Sequence, residues 1–273
     1  MKLSSRLFRR IIIAIAFLAV FALTGYGLKK VTTAPPTCTD GIMNGQEEGV
    51  DCGLFACNKY CEPDLAPPKV ISTKLIKAGE KDYDFIAEID NPHKEFGASE
   101  VAYELRLLDS DKKELLKREG VFYILPGQTK FLILPFLTTE NSVSDIELNI
   151  KSAKWQKIES LEGLSLIVRN ETYTSANDGS SFLNALIFNN SDFEFELVDL
   201  DIILYNSQGD IIAVNKSDIR TFVARTERAF RVIWPFHIQG KVSKIEVRPS
   251  TNLFENSNFI KRYGSEVEKF QNY

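Results

Sequence analysis

A mainly β chain with one N-terminal transmembrane helix, a short disulfide-rich collar and two antiparallel β-sandwiches in tandem is the architecture this sequence predicts. Three observations predict it. Ile11 to Leu28 is an apolar or neutral run held between Arg9-Arg10 and Lys29-Lys30. All four cysteines fall between Cys38 and Cys61. From Val70 onward, short alternating apolar runs recur between Asp, Asn, Gly and Pro, as half-buried strands do.

Residues 1–30 read as a basic stub and an anchor over 11–28. Eighteen helical residues reach about 27 Å, near the roughly 30 Å hydrocarbon core. Lys2, Arg6, Arg9 and Arg10 precede the run and no acid lies in the first 30 residues. The positive-inside rule therefore keeps the N-terminus cytoplasmic and sends the C-terminus outside, as a single-pass protein of the cell membrane. A cleaved signal peptide is the competing reading, but Thr24-Gly25-Tyr26-Gly27 matches a small-x-small site poorly. The expectation is the retained anchor.

At 44% hydrophobic and 26% charged residues, the chain falls in the globular range. Beyond residue 30 it carries 27 basic against 37 acidic side chains, a net charge of −10. That sign repels phosphate, so nucleic acid is not expected as a partner.

Residues 31–68 form a spacer and the collar. Cys38, Cys52, Cys57 and Cys61 in an exported chain predict two disulfides, with three pairings open. Zinc fits less well, because x13, x4, x3 spacing lacks paired knuckles. Asp40, Asn44, Glu47 and Asp51 offer oxygen ligands at intervals of four, three and four residues, a donor set suited to calcium. Asp-Gly and Asn-Gly are equally good turn formers, whose side chains satisfy their own backbone. The stretch resembles a cysteine motif of bacterial surface and secreted proteins, C-x-D-G-x-x-N-x-x-E-x-x-V-D-C-G-G-x-C-x-x-C. Cys38, Asp40, Gly41, Asn44, Glu47, Val50, Asp51, Cys52 and Gly53 match it; Leu54 and the Cys57-x3-Cys61 spacing depart from it. The resemblance implies a cell-surface location and carries no activity to transfer.

Strands are expected at 70–77, 83–90, 101–108, 114–121, 130–136 and 146–155, within a first sandwich over 69–158. A second over 159–255 repeats them at 164–170, 181–188, 198–205, 211–216, 228–234 and 242–248. Phe85-Ile-Ala-Glu-Ile-Asp-Asn91 lines up with Leu183-Asn-Ala-Leu-Ile-Phe-Asn189, and Phe131-Leu-Ile-Leu-Pro-Phe136 with Arg231-Val-Ile-Trp-Pro-Phe236, so the offset stays near 100. A unit of about 95 residues is the size of one immunoglobulin-like sandwich. Asn91, Leu107-Leu108-Asp109 and Leu125-Pro126-Gly127, with Asn189, Leu204-Tyr205-Asn206 and Ala224-Arg225 in the second copy, resemble the FxLYD and late-embryogenesis-abundant class of β-sandwich. That class implies non-catalytic modules of envelope and surface proteins. Residues 256–273 read as a tail with weak helical character.

Catalytic residues are not expected. His93 and His237 stand in no metal or triad spacing, and no nucleophile elbow, phosphate loop or metalloprotease motif occurs. Phe193 and Phe195, two apart in an acidic run, are the candidate partner-contact strip, against the alternative that they are core. The functional expectation is a membrane-anchored, non-enzymatic binding or scaffolding protein with an envelope protein as partner. An envelope enzyme or glycan-binding module is the alternative.

Overall fold

The computed structural model describes residues 5–32, 37–59, 61 and 64–264. It divides into two compact units, Met1–Asp64 and Leu65–Tyr273, so the break falls a few residues before the expected end of the collar.

In the first unit, α1 (Ser5–Thr32) extends the expected 11–28 segment at both ends. Its side chains from Arg10 to Lys29 are exposed throughout, and this stretch is long and apolar enough to cross a membrane. The collar that follows holds its shape with little core: among the described residues from 37 to 64 only Glu47, Cys52 and Gly53 are buried. A four-residue helix, α2 (Leu54–Cys57), is closed by Asn58, whose left-handed backbone lets its N–H reach Leu54 O. Bridges Cys38–Cys57 and Cys52–Cys61 tie the ends together, choosing one of the three pairings.

The second unit contains twelve strands among its described residues. The first six are β1 (Lys69–Lys77), β2 (Asp82–Asp90), β3 (Phe96–Leu108), β4 (Glu114–Ile124), β5 (Thr129–Thr138) and β6 (Asp145–Lys157). They make two three-stranded antiparallel sheets, β1-β2-β5 and β4-β3-β6, which face each other across Phe85, Ile89, Leu105 and Leu107. The second six are β7 (Leu166–Ser175), β8 (Ser181–Asn189), β9 (Phe195–Tyr205), β10 (Ile211–Phe222), β11 (Glu227–Trp234) and β12 (Lys244–Ser250). Their sheets, β11-β8-β7 and β10-β9-β12, repeat the same connectivity over Leu183, Val198, Ile202 and Trp234. Alternation drives both: along β8 the odd positions from Ser181 to Asn189 are all buried and the even ones are not. The fold is therefore two immunoglobulin-like sandwiches of six strands each.

Duplication extends to a buried asparagine that ends β2 and β8. Asn91 Nδ2 donates to Phe96 O (2.7 Å) and Leu125 O (2.8 Å), while its Oδ1 accepts the His93 N–H. Asn189 Nδ2 faces Phe193 O at 2.8 Å and the carbonyls of Phe222 and Val223 at 3.2 Å; its Oδ1 accepts from the N–H and hydroxyl of Ser191. Each amide stitches the β2–β3 or β8–β9 crossover to the end of the strand in the opposite sheet. Beside it, Gly127 takes φ 59° and Arg225, in the aligned turn, takes φ 58°. A left-handed backbone costs a non-glycine residue roughly 1–2 kcal/mol. At Arg225 the guanidinium binds the loop after Asn189, through Asp192 Oδ1 at 2.7 Å and Asn190 O at 3.0 Å, and so offsets that cost.

One finding departs from the expected plan and a second adds to it. The second sandwich does not stop near 255: a 3-10 turn (Leu253–Glu255) and α3 (Ser257–Tyr263) place Leu253, Phe259 and Ile260 in its core. Residues 265–273 of the expected tail lie outside the described residues. The two sandwiches, in tandem as expected, are also packed together. Ile76, Ile86, Phe131 and Ile133 on the outer face of β1-β2-β5 bury against Ile203 and Val214 on the outer face of β9 and β10. Each such side chain gains roughly 1.5–3 kcal/mol on leaving water, before ordering costs.

Candidate functional site

The expected collar ligands come together, but they close turns. Asp51 accepts the N–H groups of Asp40 (3.0 Å) and Gly41 (2.9 Å). Asp40 accepts from the Thr37 hydroxyl, the Ile42 N–H and Asn44 Nδ2, bonds led by Thr37 that hold its carboxyl below the usual range. Glu47 accepts the Asn44 N–H at 3.1 Å. Within this set of four, Asn44 Oδ1 is the buried atom that has no partner among the described residues. Cys38 Sγ, Cys57 Sγ and a Glu47 carboxylate oxygen lie within 4.8 Å of one another, yet both sulfurs are committed to their bridge. Closing the loop between Cys38 and Cys57 is worth about 3 kcal/mol. Replacing both by serine is therefore expected to speed hydrogen exchange at the bonded amides of Gly53 and Asn58 roughly a hundredfold.

Phe193 and Phe195 do not form an exposed strip. Phe193 is 8% exposed and Phe195 1%. The physical reason is the tail: Phe259 and Tyr263 of α3 stack edge-on against Phe193 at 5.1 and 6.0 Å, covering what an isolated strand would leave open. His93 meets Trp155 edge-on at 4.9 Å and lies 2.9 Å from Ala66 O. His237 is exposed on the connection after β11.

A cluster the sequence reading missed lies where the two sandwiches meet. Lys130 Nζ, at the start of β5, donates to Ser250 Oγ of β12 at 2.9 Å and sits 3.9 Å above the Tyr123 ring. The Tyr123 hydroxyl donates to Asp199 Oδ2 at 3.0 Å and lies 2.9 Å from Ser250 Oγ. Asp201, 4% exposed, is paired in register with Lys216 of β10 on one side and Arg248 of β12 on the other. Burial raises its carboxyl to about 6, opposed by Lys130 and Lys216. Burial likewise lowers the Lys130 ammonium and pushes the Tyr123 phenol well up. One signal was present in the sequence: a charge at Asp201 inside the run Leu200-Asp-Ile-Ile-Leu204, and another at Lys130 before Phe131-Leu-Ile-Leu134.

Two open clefts adjoin this cluster, of about 420 and 320 Å³, and share Tyr123, Leu197, Asp199, Asn252 and Glu255. Glu100 lines the larger, and Glu194 and Glu196 the smaller, so the mouths are predominantly acidic above a buried lysine. Such an arrangement fixes one sandwich against the other and can hold hydroxyl or cationic groups; ionised Asp201 is destabilised by its own burial. Its folded pKa exceeds the unfolded one, so its contribution is full below about pH 3.8 and is lost as pH rises through 6. Relative to Asp201→Asn, the wild-type chain should lose up to about 3 kcal/mol between pH 4 and 7, read from denaturant midpoints. Glu104 on β3 has the opposite sign: bonds from Lys117 and Lys151 lower it to about 2, so its contribution holds above 4.5 and fades below.

No protein-family model and no curated protein matches the chain. Among solved structures it is similar to the calcium-binding domain CBD12 of CALX1.1, at 11% identity over 66% of this chain and 81% of that one, with a TM-score of 0.20. It is similar also to red sea bream transglutaminase, at 9% identity over 78% of this chain and 36% of that one, with a TM-score of 0.23. Overlaps of this size carry nothing about what the chain binds.

Proposed function

We propose that the chain is a membrane-anchored, extracytoplasmic, non-catalytic binding or scaffolding protein of the cell envelope, in which two sandwiches act as one stiff arm. The observation that supports this most is the junction. A shared apolar core and a buried Lys130–Asp201 cluster oppose independent motion of the two sandwiches. An exposed 20-residue apolar stretch, Arg10–Lys29, supports the single-pass anchor, with the preceding Lys and Arg residues arguing for a cytoplasmic N-terminus. The collar's resemblance to a bacterial surface-protein motif supports the address, and the envelope protein is the partner proposed. Calcium enters this reading through the one unpartnered oxygen of the collar set, Asn44 Oδ1. Glycan binding at the junction clefts is the second reading, favoured by the acids Glu194, Glu196 and Glu255 around them.

In-cell crosslinking followed by identification of the captured proteins tests the proposal. A defined envelope protein should be captured, and capture should fall when Cys38→Ser and Cys52→Ser are combined, since that pair opens both bridges. Capture of no envelope protein sinks it. The mass of the native N-terminus separates a retained anchor from a cleaved leader.

A further inference from the structure

At the end of the second sandwich away from Asn189, the turn Ala176–Ser180 and the connection Pro235–Ser243 leave a mouth of about 400 Å³ between the sheets. That is within the size range of small-molecule sites. Two features of its lining are uncommitted. Ser181 is the first residue of β8 and lies on the inward side of its alternation; it is 3% exposed, and its Oγ is buried with no partner. His237 and Lys241 stand exposed on the rim, and among the described residues neither has an ion-pair partner. The walls are apolar: Ile238 and Val242 on one side and Tyr173 on the other, its ring 6.4 Å from Trp234. In the first copy the aligned position holds Tyr83, so this lining belongs to the second sandwich alone.

A buried hydroxyl without a partner costs about 1–3 kcal/mol, which a ligand supplying the missing bond relieves. Lys241 brings a cation to the rim, the Asp178 carboxylate of the turn being engaged by the N–H and hydroxyl of Ser180, and the walls favour a flat apolar body. We propose that this mouth is a binding site for a small organic carboxylate, whose oxygens meet Ser181 Oγ and Lys241 while its apolar part lies along Tyr173 and Ile238. The carboxylate belongs to a free acid or to a peptide C-terminus. The site owes nothing to membrane anchoring or to the junction, so it stands or falls separately from the scaffolding role.

The test is titration of the detergent-solubilised full chain with benzoate, followed by tryptophan fluorescence, since Trp234 lies beneath Tyr173. Benzoate should saturate with Kd in the millimolar range, with benzyl alcohol and inorganic phosphate each about tenfold weaker. Ser181→Ala should weaken benzoate about fivefold while leaving the unfolding midpoint unchanged or higher, because it removes an unsatisfied group. That pairing of signs is not what a merely structural serine gives. Lys241→Gln should weaken binding without affecting folding. A peptide ending in Ala-Phe that binds tighter than benzoate assigns the carboxylate to a chain terminus; the reverse order assigns it to a free acid. No saturable change, equal binding of phosphate, or unchanged affinity in both variants overturns the proposal.

Discussion

Asn189→Ala is expected to destabilise the second sandwich by about 4 kcal/mol. The side chain is fully buried and its Nδ2 is the donor for the carbonyls of Phe193, Phe222 and Val223, while Oδ1 serves Ser191. Alanine leaves several of these groups buried and unpaired, at about 1–3 kcal/mol each where water does not enter. Asn189→Asp keeps the volume but turns an oxygen toward the carbonyls, and should be no better tolerated. Asn91→Ala, with two carbonyls to serve, should lose about 3 kcal/mol in the first sandwich. Denaturant unfolding of the solubilised chain measures all three; a loss below 1 kcal/mol for Asn189→Ala would show that the stitch is decorative.

The second large effect is expected at the junction. Lys130→Met removes the cation facing Asp201 and Asp199, at a cost of about 3 kcal/mol at pH 7, because the buried Asp201 carboxylate then loses its attraction while half-exposed Asp199 is still reached by water. Adding Asp201→Leu should recover most of that, since replacing both partners by apolar groups removes the desolvation penalty together with the attraction. The same cycle reports on rigidity. If Lys130→Met alone frees one sandwich from the other, small-angle scattering should show an extended population that the double variant suppresses. Equal stability of Lys130→Met and wild type would remove the electrostatic part of the junction, leaving Ile76, Ile86, Phe131, Ile133, Ile203 and Val214 to hold it.

All twelve strands appear near their expected positions, and the reason is local. Period-two alternation records which residues face a core, as along β8, and turn residues such as Pro126-Gly127 record where the chain reverses. Ends are less legible. β3 begins at Phe96 rather than Val101 and β10 runs to Phe222 rather than Lys216, because bulges and left-handed residues such as Thr221 extend pairing past the regular pattern. Likewise Phe193 and Phe195 alternate as a contact strip would, yet Phe193 is covered by α3, more than sixty residues away in the chain, and Phe195 faces the core of its own sandwich. The same distance hides the junction: Lys130 and Asp201 lie 71 positions apart and come within each other's electrostatic reach only in space.

By itself the sequence determined the local terms: an apolar helix, a collar dependent on bridges, and two copies of one strand plan, each written in spacing and composition along a short stretch of chain. Only the tertiary structure decided which cysteines join, why Asn91 and Asn189 recur, that the tail closes the second core and that the sandwiches share an interface. Those outcomes rest on contacts between residues remote in sequence, where burial changes what a charge or hydroxyl costs, and no local pattern encodes that change.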